Sequence, residues 1–126
     1  MRRALPLVLA FAALALTGCR QHTTGDVTLR DHNSDDVWDK HVDDCHLGPN
    51  GQIVLYENQK PLLTVYPDQH AVLHAPQGDM NFIPAPTDVY ISNLTDNGEG
   101  LHGHLSVVFE QGNDRLSAGI LIKGCK

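Results

Sequence analysis

The chain has 126 residues, room for one small domain. Its 9 Lys+Arg against 15 Asp+Glu give a net charge of -6, which leaves no basic footprint of the kind that nucleic acid requires. With 41% hydrophobic and 19% charged residues, the composition is that of an ordinary globular domain and not of a disordered tail.

The first segment reads as an export signal. Arg2 and Arg3 form a basic start, and residues 4–16 form an apolar run. That run falls short of the roughly 20 residues a membrane helix needs and suits a signal-peptide core. It ends in Leu16-Thr17-Gly18-Cys19, which resembles a bacterial lipobox. The small Thr17 and Gly18 fit the peptidase, and the Cys19 thiol takes the diacylglycerol. The resemblance implies a signal peptide over 1–18 and lipid on Cys19; the polar, aperiodic residues that follow read as a tether, 19–26 with the lipidated cysteine, ahead of one globular domain over 27–126. Arg20 stands where an Asp would favour retention in the inner membrane, so the resemblance implies an outer-membrane anchor facing the periplasm. Two or more acyl chains make such anchoring stable. Loss of Arg2 and Arg3 leaves every acid in place and makes the mature chain more acidic still.

With Cys19 lipidated, Cys45 and Cys125 remain, and an oxidising compartment pairs them. The bond closes a loop of about 80 residues, worth roughly 4.5 kcal/mol in the chain-entropy model.

Beyond a weak strand signal at Val27 and Leu29, residues 34–45 read as a helix. Ser34 supplies a cap, Asp35 and Asp36 suit the positive end of the dipole, and Val37, Trp38, His41, Val42 and Cys45 fall on one apolar arc. That face should dock on a sheet, with His41 packed in the core. From Gln52 onward the pattern alternates in strand fashion at Gln52–Tyr56, Leu62–Tyr66, His70–Ala75 and Val89–Leu94, separated by Pro, Gly, Asn and Asp turns. The last two strands are the clearest. Leu101, Gly103, Leu105, Val107 and Phe109 share one face, as do Leu116, Ala118, Ile120 and Ile122, and the loop Gln111–Asp114 pairs Glu110 with Arg115. The expected fold is therefore α+β, mostly β: a small antiparallel sheet, barrel or sandwich-like, of about six or seven strands, with one short helix and one disulfide. Cys125 has the parity of Lys123 and not of Ile122, which puts it on the wrong face of a regular strand.

No nucleophile elbow, phosphate loop or C-x-x-C motif is present, so the expectation is a non-enzyme without a cofactor. Histidine is abundant, with 8 in the chain. His102 and His104 share a strand face, as do His70 and His74, and imidazoles so spaced suit zinc or copper. The tight spacing of a zinc signature is lacking, so metal binding stays the alternative. The acids are more telling. Asp35, Asp36, Asp39 and Asp43 would line the helix opposite its apolar arc. Like charges four apart and acids at the negative end of a dipole break local rules, as functional sites do. A compact acidic face steers a basic protein partner.

The expectation is a lipid-anchored binding protein that acts as inhibitor of, or immunity protein against, a basic cell-wall hydrolase of lysozyme type. Lipoproteins of that kind are similar in size, address and β-rich build, without motifs that match residue by residue. The acidic face would guide docking, and the loops Pro76–Asp79 and Asp96–Gly100 would enter a cleft. A metal-binding lipoprotein and a structural accessory of an envelope or secretion complex are the other two readings.

Overall fold

The computed structural model describes residues 22–31 and 37–126. Within them the chain is all β. Ten strands run in the order β1 (Thr24–Asp31), β2 (Val37–Val42), β3 (Asp44–Leu47), β4 (Ile53–Glu57), β5 (Lys60–Val65), β6 (Ala71–Ala75), β7 (Gly78–Phe82), β8 (Val89–Asp96), β9 (Leu101–Gln111) and β10 (Asp114–Cys125). They form two five-stranded sheets, β2-β1-β10-β9-β8 and β3-β4-β5-β6-β7, with every pairing antiparallel. The core lies between them. Val27, Leu105, Val107, Phe109, Leu116 and Ile122 from the first sheet meet Leu55, Leu63, Val65, Leu73 and Phe82 from the second, all essentially sealed from solvent. Phe82 and Phe109 face each other with ring centres 6.2 Å apart.

The α+β expectation is overturned: the described part of the supposed helix over 34–45 is strand. The reason is a slip in parity. Trp38, Lys40 and Val42 take the more buried positions of β2, while Val37, Asp39 and His41 face outward. Asp43 then interrupts the alternation, and Cys45 becomes the buried position of β3. Trp38, Val42 and Cys45 are thereby spaced four and three apart, which mimics a helical arc. Six residues of ladder with β1, from Val37↔Arg30 to Val42↔Gly25, decide the matter in favour of strand, and β-branched Val37 and Val42 with aromatic Trp38 suit it. Ser34, Asp35 and Asp36 lie outside the described residues. His41, expected in the core, is exposed on the outer face of the first sheet.

Asp43 is the point where the chain passes from one sheet to the other. Its N–H donates to Tyr56 O at 2.9 Å, and its carboxylate accepts from Asn58 N at 3.0 Å, which holds the β4–β5 turn. Asn58 and Gln59 both sit at positive φ there, the backbone of a two-residue hairpin turn.

The expected disulfide is present between Cys45 and Cys125, with Cα atoms 5.1 Å apart, and ties β3 of the second sheet to β10 of the first. The parity conflict at Cys125 is resolved by a bulge. The β9–β10 register runs regularly to Lys123↔His102 and then shifts to Cys125↔Leu101, with Gly124 at φ +67°. The extra residue rotates Cys125 to the inner face. The expected β9–β10 hairpin has the register read from the sequence, Arg115↔Glu110, with both apolar rows inward. The end of β9 is joined to the edge strand β7 by Gln111, whose side chain donates to Asn81 O at 2.6 Å and accepts from Ile83 N at 3.2 Å.

Candidate functional site

A concavity runs along β2, an edge strand of the first sheet, where that edge stands beside the hairpins of the second. Trp38 sits in the middle and is half-buried. On one side is a cleft of about 410 Å³ bounded by Lys40, Glu57, Asn58, Lys60, Leu62 and His74. On the other is a cleft of about 510 Å³ bounded by Leu29, Asp31, Val37, Gln77, Met80 and Asp114. The sequence placed Trp38 on the docking face of a helix. Its half-burial instead follows from an inward position on an edge strand, which has no next strand to cover it.

Local chemistry fixes the walls. Lys40 Nζ lies 3.9 Å from Glu57 Oε1 and 5.9 Å from the centre of the indole ring. The other carboxylate oxygen of Glu57 accepts from His41 N at 3.3 Å and so covers part of the free edge of β2. His74 donates or accepts at both ring nitrogens, 2.9 Å from Thr64 Oγ1 and 2.9 Å from Asp79 Oδ1. The order carboxylate, imidazole, hydroxyl is that of a nucleophile with its base. Here it spans three adjacent strands of one sheet, β5, β6 and β7, and Thr64 is buried. Amides beside it in those strands are committed to the ladder and not gathered as donors for an oxyanion. The same order recurs on the other sheet, where His41 lies 3.2 Å from Asp26 Oδ1 and 3.2 Å from Thr24 Oγ1.

Carboxylate partners recur at two further histidines. His46 meets Asp44 at 3.1 Å, and His70 meets Asp68 at 2.5 Å while stacking on Tyr66 with ring centres 4.1 Å apart. The His70 backbone N–H and ring both donate to Asp68 and hold its carboxyl below the usual carboxylate range. Burial alone pushes the Tyr90 phenol up.

The four histidines singled out for metal are not brought together. His74 belongs to β6 of the second sheet and His70 to the turn before it, whereas His102 and His104 belong to β9 of the first. Among the described residues no group of three or more His, Cys, Asp or Glu is arranged to hold a metal ion. His102 stands opposite Lys123, with a buried Nε2 that has no hydrogen-bond partner.

Of the four aspartates expected on one helical face, the two that are described, Asp39 and Asp43, do not share a face. Asp35 and Asp36 lie outside the described residues. Asp39 is on the outer face of β2 and accepts the Thr28 hydroxyl, whereas Asp43 is in the bend. Cys19 and the whole signal segment lie outside the described residues as well. The loops Pro76–Asp79 and Asp96–Gly100 lie at opposite ends of the sandwich: Gln77 shares a cleft with Asp114, at the start of β10, and Gly100 packs against Gly124 and Cys125 at its end.

No family model, no curated protein and no solved structure matches this chain.

Proposed function

We propose that the chain is a lipid-anchored binding protein of the outer membrane, facing the periplasm, that inhibits or gives immunity to a basic cell-wall hydrolase of lysozyme type. The observation that carries this reading is a two-sheet scaffold, tied by a disulfide, with a cleft beside Trp38 and with exposed carboxylates at Asp26, Asp39, Asp44, Asp68 and Asp79. Such a surface attracts a basic protein at long range and loses that attraction in salt. The acidic character survives the loss of the supposed helix, because it is spread over both sheets.

The test is a capture experiment with the full chain in mild detergent against envelope and secreted proteins, eluted in a salt gradient and identified by mass spectrometry. A basic wall hydrolase released by salt, and slowed by the purified chain, is the expected result. Capture of none, or turnover unaffected by the chain, overturns the reading. One observation favours the accessory-component reading instead. Ile83 is 68% exposed, and Val89 and Ile91 on the edge strand β8 are 43% and 50% exposed. A large complex retained in detergent and disrupted by Ile91→Lys would support that reading.

A further inference from the structure

We propose that the cleft bordered by Lys40, Lys60 and Trp38 is a binding site for a sugar acid, a pyranose ring that carries a carboxylate. The inference does not depend on the hydrolase reading, because it concerns a small ligand and a cleft that is locally basic.

Three observations converge. The first is charge. The chain carries a net charge of -6, yet two of the four lysines among the described residues, Lys40 and Lys60, border this cleft against the single carboxylate of Glu57. That carboxylate is already shared between Lys40 Nζ at 3.9 Å and His41 N at 3.3 Å. Lys60 stands opposite Glu57 across the β4–β5 ladder, is exposed, and forms no ion pair among the described residues. A rim with more ammonium than carboxylate groups favours an anion. The second is the mixture of groups. Trp38, Pro61, Leu62 and Ala75 give an apolar lining. The polar rim offers acceptors as well as donors: Glu57 and the Asn58 amide oxygen accept, whereas the Asn58 amide nitrogen and the two lysines donate. A plain aliphatic or aromatic acid leaves those acceptors unused. A sugar acid engages them, with hydroxyls donated to Glu57 and Asn58, the carboxylate at Lys60 and the C–H face of the ring against the apolar lining. At about 410 Å³ the cleft is near the small end of ligand sites and suits a single ring. The third is that the walls are already held. Asn58 and Gln59 sit at positive φ in the β4–β5 turn, and Asn58 N donates to the Asp43 carboxylate at 3.0 Å. His74, on the wall from β6, is fixed at both ring nitrogens by Thr64 and Asp79. Walls tied by their own hydrogen bonds lose little freedom on binding, which a ligand with few contacts requires.

Trp38 is the only tryptophan in the chain, so its fluorescence reports on the cleft it borders. The probes are sodium methyl glucuronide, methyl glucoside with matched sodium chloride, and sodium cyclohexanecarboxylate. Each is titrated into the full chain in mild detergent and followed by Trp38 emission and by saturation-transfer NMR of the probe. The glucuronide is expected to saturate with a midpoint on the order of 1 mM, the affinity that a single ring supports. The glucoside lacks the charge and cyclohexanecarboxylate lacks the hydroxyls, so both should bind more weakly. Lys60→Gln should raise the glucuronide midpoint about threefold, the range of an exposed charge pair, and leave the glucoside unaffected. Lys126→Gln, which removes the same charge outside the cleft, should change neither. Equal midpoints for glucuronide and glucoside, or equal effects of Lys60→Gln and Lys126→Gln, overturn the proposal. Cyclohexanecarboxylate bound as tightly as the glucuronide, or no saturable binding by either readout, overturns it as well.

Discussion

Replacing both Cys45 and Cys125 by Ala tests how the two sheets are held together. The bond joins positions 80 residues apart, which in the chain-entropy model restricts the unfolded chain by about 4.5 kcal/mol. Domains of this size are stable by roughly 5–15 kcal/mol in all, so a third or more of the total is at stake. At roughly 4–8 °C per kcal/mol, the melting temperature should fall by about 20–35 °C. The assay is urea and thermal unfolding followed by Trp38 emission, with the reduced native chain as a control for the small packing change at the two buried sites. The mechanism leaves a second signature. Without the cross-link the unfolded chain exposes more surface, so the urea dependence should steepen. A loss of less than about 1 kcal/mol with an unchanged slope would refute the reasoning, because the core alone would then hold β3 against β10.

Three further outcomes are expected. Phe109→Ala empties the centre of the interface beside Phe82 and should cost about 3–5 kcal/mol by urea unfolding, since neither sheet can collapse into the gap. Gly124→Ala should cost about 1–2 kcal/mol by the same measurement, because the bulge needs a left-handed backbone; a Cβ there meets nothing closer than 3.7 Å, so the penalty is conformational and not a clash. Asp68 has a folded-state pKa held below its ordinary 3.8, so its contribution is complete at neutral pH and is lost as pH falls below 3.8 through the lowered value. Asp68→Asn should therefore flatten the acid limb of a plot of urea midpoint against pH, and an unaltered limb would count against the His70–Asp68 contact.

What was legible in the sequence followed from strict alternation. The β9–β10 hairpin has two long apolar rows and a short loop, and only one register buries both. The disulfide was legible from cysteine number and compartment chemistry. The β2–β3 segment was not, because one extra residue at Asp43 converts a period of two into spacings of four and three, and a single-segment reading cannot see the β1 ladder that decides between them. β7 escaped notice because Gly78-Asp79-Met80-Asn81-Phe82 carries only two apolar residues and begins with a turn signal. The cleft at Trp38 was beyond reach for a different reason. Its walls come from Leu29, Asp31, Val37 and Trp38 on one side, Gln77 and Met80 on the other and Asp114 at the start of β10, and only the stacking of the sheets assembles them. The sequence did contain one usable signal: the sole Trp alternates with Lys40, a mixture suited to an inward row that stays partly wet.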